Sequence, residues 1–266
     1  GLGGHAEGVL GALSAQGRLL GMDMDPEALL TAQGRLKSHS GRFSAVRANF
    51  RTLGQVLERE KFFPLAGALF DLGVSSLHFD KGERGFSFSR EGPLDMRLSP
   101  DNPLTAAAIV NHWPEEQLVL LLSEFGEEPQ ALRIARSIVE RRKLRPFETT
   151  TDLSDLIARL IPRGKTHPAT RAFMALRIAV NSELENLPRG LESVLPFIQQ
   201  GGRVAVISFH SLEDRIVKRL FESFVAQGTC RHAGRKGGPS PLRPSSQEIE
   251  SNPRARSAKL RIIEKL

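Results

Sequence analysis

The sequence predicts an α/β fold whose parallel sheet is interrupted by a block of helices. Strand and helix patterns alternate over the first hundred residues, and a long stretch then shows helical periodicity alone before the alternation resumes. Alternating strands and helices form parallel sheets through right-handed crossovers. A helical block that interrupts such a pattern is typical of an inserted domain.

The first part of the chain carries short apolar runs that are separated by Gly, Pro and polar turns. Strands are predicted over residues 18–22, 43–48 and 65–70, and helices over 6–13 and 26–37. The chain opens at Gly1 inside a glycine-rich loop, with no Met and no strand before it. We therefore expect that the first strand of the sheet is missing from this sequence.

The strand pattern stops over residues 104–180, which we predict to be the helical insert. Ala131, Ile134, Ala135, Ile138 and Val139 recur at the spacing of one apolar helix face. Further helices are predicted over 115–124, 152–161 and 169–187. The basic residues that lie off the apolar stripe, and that we expect to hold nucleic acid, are Arg133, Arg136, Arg141, Arg142 and Lys143.

The α/β pattern resumes after the insert. It predicts a helix over 191–199, a strand over 203–209, a helix over 212–224 and a last strand over 258–263. The predicted domain organisation is a first part of the α/β domain at 1–103, the insert at 104–180 and a second part at 181–266.

Composition limits the classes of protein to which this chain can belong. The 266 residues are 40% hydrophobic, enough for a sizeable core, and carry a net charge of +7. Residues 231–261 alone hold eight Lys or Arg and two acids, which indicates either a solvated tail or a contact with nucleic acid. The single cysteine excludes an internal disulfide and favours a cytoplasmic protein. No apolar run is long enough to span a membrane.

One predicted strand ends in an acid, Asp71, and a short Gly/Ser loop follows at once in LAGALFDLGVSS, residues 65–76. A buried parallel strand of this kind delivers its last side chain to the carboxyl edge of the sheet. Open α/β sheets bind their ligands in the crevice at that edge. We therefore expect Asp71 to line a ligand site.

A glycine-rich loop, GLGGH at 1–5, precedes the first predicted helix and lets the backbone approach a ligand closely. About twenty residues later, the segment GMDMDP contains two acids at the spacing of a ribose-binding residue. Asp25 precedes Pro26 and is expected to cap the next helix. Asp23 ends its strand and is expected to accept both ribose hydroxyls. The alternative is a solvent-exposed acid.

Three other segments leave two interpretations each. Phe50 packs either on an adenine ring or in the core. The segment 83–99, with three Arg and two Phe, either stacks on an unpaired base or forms a hairpin with a buried Phe face. In SFHSLED, residues 208–214, Ser211 and Asp214 have capping-box spacing, and His210 remains available to line the crevice. The missing G-x-S-x-G elbow argues against a hydrolase.

Taken together, these motifs resemble those of one family, the bacterial 16S ribosomal RNA cytosine-N4 methyltransferases of the MraW type. The matching segments cover essentially the whole chain in order. They are GGH at 3–5, DMDP at 23–26, DLGVSS at 71–76, ERGFSF at 83–88, GPLDMR at 92–97, HPATRAFMALRI at 167–178, NSELE at 181–185, SFHSLEDRIVKR at 208–219 and NPRARSAKLR at 252–261.

The resemblance implies a Rossmann-like class I methyltransferase fold with a helical substrate-recognition insert. It also implies an enzyme that uses S-adenosyl-L-methionine to methylate the exocyclic N4 of a cytidine in 16S ribosomal RNA of the small ribosomal subunit. The cofactor-binding residues that it implies are Gly3, Gly4, His5, Asp23, Phe50, Asp71 and His78. His78 stands where relatives commonly carry Gln.

The implied chemistry fits the residues around Asp71. The N4 lone pair of cytosine is delocalised into the ring, and a group that accepts a hydrogen bond from N4–H helps to localise it. Asp71 and the loop residues Ser75 and Ser76 are therefore the candidate catalytic residues. The sulfonium donor supplies its own leaving group, so no metal is expected.

Two other function classes remain open. A non-catalytic ribosome-assembly or RNA-binding factor would show the same basic segment and helical insert without methyl transfer. A dinucleotide-dependent dehydrogenase shares the glycine loop and the ribose-binding acid, although the chain has no Tyr for Tyr-x-x-x-Lys chemistry.

Overall fold

The computed structural model describes residues 1–75, 78–79, 81–164, 166–234 and 237–266. The candidate catalytic residue Ser76 and the basic residues Arg235 and Lys236 lie outside the described residues. The chain divides into two compact units. The first comprises Gly1–Gly4, Met24–Arg35 and Val74–Ser182, and the second comprises His5–Asp23, Leu36–Gly73 and Glu183–Leu266. The insert predicted at 104–180 lies wholly within the first unit, and its limits stay a prediction.

The helices and strands follow the predicted alternation. The strands are β1 (Leu19–Asp23), β2 (Phe43–Arg47), β3 (Leu65–Asp71), β4 (Ile198–Ser208), β5 (Cys230–His232) and β6 (Lys259–Lys265). The helices are α1 (Gly4–Ala12), α2 (Pro26–Arg35), α3 (Leu53–Arg59), α4 (Ala106–His112), α5 (Glu115–Glu124), α6 (Ala131–Arg142), α7 (Thr150–Leu160), α8 (Thr170–Asn181), α9 (Glu183–Val194), α10 (Ser211–Ala226) and α11 (Ser246–Ser251).

The second unit contains all of these strands. β1 and β2 pair in parallel as a two-stranded sheet, and the others form a four-stranded sheet in the order β3-β4-β6-β5. β3 and β4 are parallel, as the alternation predicts. β6, whose orientation was not predicted, runs antiparallel to both of its neighbours. The chain turns back after β5, and an antiparallel partner needs no crossover helix.

The core of the second unit lies on the four-stranded sheet. Along the second half of β4, buried and less buried residues alternate, because successive side chains of a strand point to opposite faces. Val204 and Val206 are buried with Phe70 of β3, Leu191 of α9 and Phe221 of α10. The α/β prediction is thus confirmed at the level of the core.

The first unit is mainly helical and has a core of its own. Ala131, Ile134, Ala135 and Ile138 of α6 are buried in it and Val139 packs against it partly buried, so the predicted apolar stripe is confirmed. The N-terminus of α7 carries a capping box in which Thr149 and Asp152 satisfy each other's backbone N–H groups.

Residues 169–199 differ most from the predicted helices and strands. The single helix predicted over 169–187 is two helices, α8 and α9, because Ser182 adopts a left-handed conformation with φ 49°. The helix predicted over 191–199 is the end of α9, and β4 already begins at Ile198. The helices α3, α4 and α11 and the short strand β5 were not predicted. In the described part of the chain, no helix combines the length and the apolar character that a membrane span requires.

Candidate active site

Asp71 occupies the position that the sequence predicts, at the carboxyl end of β3. It pairs in register with Ile207 of the neighbouring strand β4. Its side chain is 41% exposed, and its Oδ2 lies 2.9 Å from Nδ1 of His5 near the start of α1. The hydrogen bond to Asp71 and its negative charge raise the pKa of His5 above its ordinary value of 6.5, although partial burial opposes the shift. The second unit thus brings together two of the predicted cofactor-binding residues.

The loop after Asp71 begins along the end of β4. The backbone N–H of Leu72 donates to the carbonyl of Ile207 at 3.0 Å. Gly73 then turns the chain with φ +89°, a conformation that side chains rarely tolerate, and Cδ2 of Phe209 lies 3.8 Å from the position that a Cβ would take. The DLG segment is therefore fixed beside the last residues of β4 by its backbone.

The two acids of GMDMDP occupy different positions in the second and first units. Asp25 accepts a hydrogen bond from the backbone N–H of Glu27 at 2.9 Å and caps α2, so the capping prediction is confirmed. Asp23 is the last residue of β1, and its carbonyl accepts the N–H of Ala48 at 3.1 Å. It stands at the carboxyl end of a parallel strand, and its binding to ribose stays a prediction.

Asp25 also has a role that the sequence did not reveal. Its carboxylate is completely buried in the first unit, where it lies 2.6 Å from Nε2 of His78 and 3.1 Å from Nη1 of Arg84. Burial alone raises the pKa of Asp25. The hydrogen bond from the N–H of Glu27, the charge of Arg84 and the hydrogen bond from Nε2–H of His78 outweigh that effect and hold the pKa below its ordinary value. Asp25, His78 and Arg84 form a buried ionic cluster.

His78 belongs to this cluster, and both of its ring nitrogens are engaged. Nε2 faces Asp25, while Nδ1 lies 3.0 Å from both the backbone N–H and the hydroxyl of Ser75. The ring is 2% exposed and packs against Phe86 at a centroid distance of 4.9 Å. The structure therefore places His78 and the candidate catalytic residue Ser75 in one hydrogen-bonded group.

Gly3 lies in the loop that the sequence predicts for it. Gly4 instead begins α1, which was expected to start at residue 6, and Phe50 lies beyond β2, the strand that it was expected to end. Gly3 has φ +84° and directly precedes α1, which begins at Gly4. Phe50 follows β2 in a short 3-10 turn and packs edge-on against Phe70, with the ring centroids 6.1 Å apart. A Cβ on Gly190 would lie only 2.8 Å from the Phe50 ring, so one face of Phe50 is held by α9.

The segment 83–99 buries a Phe face, as one of its two interpretations predicts, but the predicted hairpin is wrong, because the segment forms turns and no strand. Phe86 is 4% exposed, and Phe88 stacks on His167 with centroids 4.6 Å apart and an interplanar angle of 11°. Arg97 is bound to the carboxylate of Asp95. These aromatic side chains are engaged within the first unit, which does not favour their use for stacking on a base.

The capping prediction for SFHSLED was displaced by one residue. His210, which has extended backbone angles, is the N-cap of α10, and Glu213 is its capping-box partner. Ser211 is consequently the first residue of the helix. Asp214 instead binds Lys259 and Arg261 of β6, which hold its pKa below the ordinary value against the effect of burial.

Several of the basic side chains that the sequence places on the surface bind other groups of the protein itself. Arg141 binds Asp152 and lies over the ring of Phe147, while Arg142 donates to two backbone carbonyls. In the second unit, Arg231 binds Glu264, as Arg203 does. The side chains of Arg133, Arg136 and Lys143 are on the exposed surface of α6 or just after it.

Comparison with known proteins finds similarity to one methyltransferase family over the whole chain. The sequence profile of the MraW methylase family matches residues 1–266. A protein of Symbiobacterium thermophilum named ribosomal RNA small subunit methyltransferase H is 46% identical over 283 residues, which cover 99% of this chain and 88% of that protein. Proteins of the same name from Syntrophobacter fumaroxidans and Thermomicrobium roseum are each 45% identical, with 99% of this chain and 87% and 85% of those proteins covered.

Proposed function

The chain belongs to the MraW methylase family, and from that premise we propose that it transfers a methyl group from S-adenosyl-L-methionine to the exocyclic N4 of a cytidine in 16S ribosomal RNA. The observation that carries this proposal is the exposed Asp71 carboxylate at the carboxyl end of β3, beside His5. The DLGVSS motif places this acid where open α/β sheets bind their ligands.

The described residues fit the proposed donor. Gly3, in a left-handed conformation before α1, lets the backbone approach a ligand closely. Asp23 and Asp71 are each the last residue of a strand that pairs in parallel with its own neighbour. When bound, the donor supplies an activated methyl group on a positively charged sulfur. Its proposed ligands are Gly3, Gly4, His5, Asp23, Phe50 and Asp71. Because His78 is buried and engaged with Asp25 and Ser75, we propose that it acts by positioning Ser75.

Asp23→Ala tests the ribose contact. Removing the acceptor leaves two ribose hydroxyls without their partner, so donor affinity should fall by about 1–3 kcal/mol. Calorimetric titration with S-adenosylmethionine measures the effect. Glu58→Ala, which removes an exposed acid on α3 of the same unit, should leave the affinity unchanged. Equal affinities of the two variants would remove Asp23 from the donor site.

Asp71 is the proposed catalytic residue. Its carboxylate accepts a hydrogen bond from N4–H, which localises the nitrogen lone pair, and then takes the proton that N4 loses when its bond to the methyl carbon forms. The loop residues Ser75 and Ser76 are proposed to border the reacting group. Holding the base in line with the methyl group supplies most of the rate enhancement.

The proposed substrate is the RNA within the small ribosomal subunit, and the proposed compartment is the cytoplasm. The net charge of +7 favours a polyanionic partner. Because Arg141 and Arg142 are engaged inside the first unit, the exposed Arg133 and Arg136 are the better candidates for phosphate contacts.

The decisive experiment is a radiolabelled methyl-transfer assay on small-subunit particles, followed by mass spectrometry of the labelled nucleoside. The wild-type chain should produce N4-methylcytidine, and Asp71→Ala should lower turnover at saturating donor while Glu58→Ala does not. Binding of particles without any transfer would favour the assembly-factor alternative. Normal turnover of Asp71→Ala would show that Asp71 is structural.

A further inference from the structure

Three side chains that the proposed mechanism does not use meet at the N-terminus of α10. One ligand atom each of Glu183, His210 and Glu213 lies within 4.8 Å of the other two. The side chains of His210 and Glu213 are only 10% and 3% exposed. Glu183 is the first residue of α9, so two helix starts converge here within the second unit.

The capping box of α10 determines which ring nitrogen of His210 carries the proton. Nδ1 accepts the backbone N–H of Glu213 at 3.5 Å, and Oε2 of Glu213 accepts the N–H groups of Phe209 and His210 at 2.8 and 3.3 Å. A ring nitrogen that accepts a hydrogen bond has its lone pair free of a proton. The neutral ring therefore carries its hydrogen on Nε2.

This Nε2–H donor has no hydrogen-bond partner among the described residues. It lies 3.2 Å from Oε1 of Glu213, within ion-pair distance, but the N–H does not point at that oxygen well enough for a hydrogen bond. A buried donor without an acceptor is costly, which indicates that a ligand supplies the acceptor. The same tautomer disfavours a metal ion, because Nε2 has no free lone pair to coordinate it.

The cluster lies at the same sheet edge as the catalytic candidate. Asp71 is opposite Ile207 in the parallel pair, and His210 follows Ile207 by three residues. Phe209, between them in the chain, is the aromatic side chain beside Gly73 of the DLG loop. The Nε2–H donor, two carboxylates and an aromatic ring thus lie next to the strand end that carries Asp71.

We propose that His210 and Glu183 read the Watson–Crick edge of the target cytosine, an inference that rests on the proposed function. His210 Nε2–H donates to N3 of the base, and the Glu183 carboxylate accepts the N4 hydrogen on the N3 side. Asp71 takes the other N4 hydrogen. Cytosine presents this adjacent acceptor and donor, whereas uracil presents N3–H and O4 in the reverse order, so the pair selects cytosine.

His210→Asn is the first test, because Asn is a favoured N-cap and preserves the start of α10 while it removes the Nε2–H donor. We expect kcat/KM for small-subunit particles to fall by about 10- to 100-fold, the loss of one buried hydrogen bond to the substrate. Donor affinity and the melting temperature should stay at wild-type values. Glu183→Gln should reduce kcat/KM by a similar factor, and Glu185→Gln, an exposed acid on the same helix, is its matched control.

A substrate analogue distinguishes base contact from a structural role. Particles are reconstituted with cytidine or 3-deazacytidine, which has C–H in place of N3, at the methylated position. The altered reactivity of the analogue affects every enzyme form alike, so it cancels when the ratio of cytidine to analogue rates is compared between wild type and His210→Asn. We expect the ratio of cytidine to analogue rates to be about 10- to 100-fold larger for wild type than for His210→Asn.

Equal ratios for wild type and His210→Asn would overturn the proposal, as would normal kcat/KM for both His210→Asn and Glu183→Gln. Binding of Zn²⁺ to the wild type, but not to Glu183→Gln, in calorimetric titration would instead assign the cluster to a metal. Absence of methyl transfer by the wild type on cytidine-containing particles would count against the proposed function itself, so the two failures are distinguishable.

Discussion

The carboxylates of this protein differ in their burial and in the number of groups that they contact. Asp71 is 41% exposed and contacts His5, whereas Asp25 is buried and contacts a backbone N–H, an imidazole and a guanidinium. A buried charge is stable only while its partners remain, because no water replaces them. At the scale of the residue, Asp71 is therefore suited to bind a ligand, whereas Asp25 stabilises the fold.

Asp25→Ala should destabilise the first unit strongly. The substitution leaves His78 and Arg84 without the carboxylate that they share and removes the cap of α2, so the free energy of unfolding should fall by about 3–5 kcal/mol. Urea-induced unfolding measures the loss. Arg136→Ala breaks the exposed pair with Glu115 and should cost about 0–1 kcal/mol. A loss of that small size for Asp25→Ala would show that the cluster does not depend on its charge.

Asp71→Asn should lower the pKa of His5 toward its ordinary value of 6.5, because the charged hydrogen-bond partner that raises it is removed. A raised pKa means that the pair stabilises the protein below pH 6.5 and that this contribution is lost as pH rises through the raised value. Both side chains are substantially exposed, so the effect on stability is small.

An NMR titration of the His5 ring follows this pKa directly. Glu58→Gln is the control, and it should leave the His5 titration unchanged. An unaltered pKa in Asp71→Asn would mean that the His5–Asp71 contact is absent in solution.

At the scale of the element, the break between α8 and α9 places Glu183 at a helix start. Ser182 makes that break with positive φ and ψ, at 49° and 38°. A left-handed residue at a helix C-terminus is usually Gly, because a Cβ there meets the following carbonyl. The sequence carries Ser instead, which explains why the helical pattern predicted one continuous helix.

Ser182→Gly should therefore stabilise the protein by about 0.5–1 kcal/mol, since the relief of Cβ strain exceeds the added entropy of the unfolded chain. Thermal unfolding measures the gain. Ser182→Ala keeps the Cβ and should give no gain. If the Ala and Gly variants were equally stable, the left-handed geometry at Ser182 would not be strained.

At the scale of the whole molecule, formal charge overstates the basic surface. The residues 231–261 carry a net charge of +6, yet Lys259 and Arg261 are bound to Asp214, and Arg231 is bound to Glu264. Arginines that are neutralised within the fold attract RNA less than the sequence count suggests. Exposed cations such as Arg133 contribute more to the electrostatic potential at the protein surface.

Reversal of Arg133 and Arg136 to Glu should weaken binding of small-subunit particles and make its salt dependence less steep, because fewer counterions are released from RNA phosphates. Filter binding at several salt concentrations measures both effects, and donor affinity should not change. Reversal of Arg141 and Arg142 is unsuitable, since both are bonded inside the first unit and their loss would disturb folding. Unchanged particle binding after the Arg133 and Arg136 reversal would show that this face is only solvated.

The sequence by itself determined the features that depend on local order along the chain. Apolar runs and helical spacing gave the strands and the buried stripe of α6, and an acid after an apolar run gave the strand-end position of Asp71. The Asp-Pro-Glu order gave the Asp25 cap. These features were predictable because each depends on a few neighbouring residues and on the period of the element that contains them.

Only the tertiary structure decided which distant side chains meet. His78 lies 53 residues from the Asp25 that it contacts, and Glu183 reaches the capping box of His210 from another helix. Arg142 has a structural role because its guanidinium donates to one backbone carbonyl in α4 and to another just after the C-terminus of that helix. No local pattern encodes such pairs, since packing of the whole chain fixes the distance between groups that are far apart in sequence.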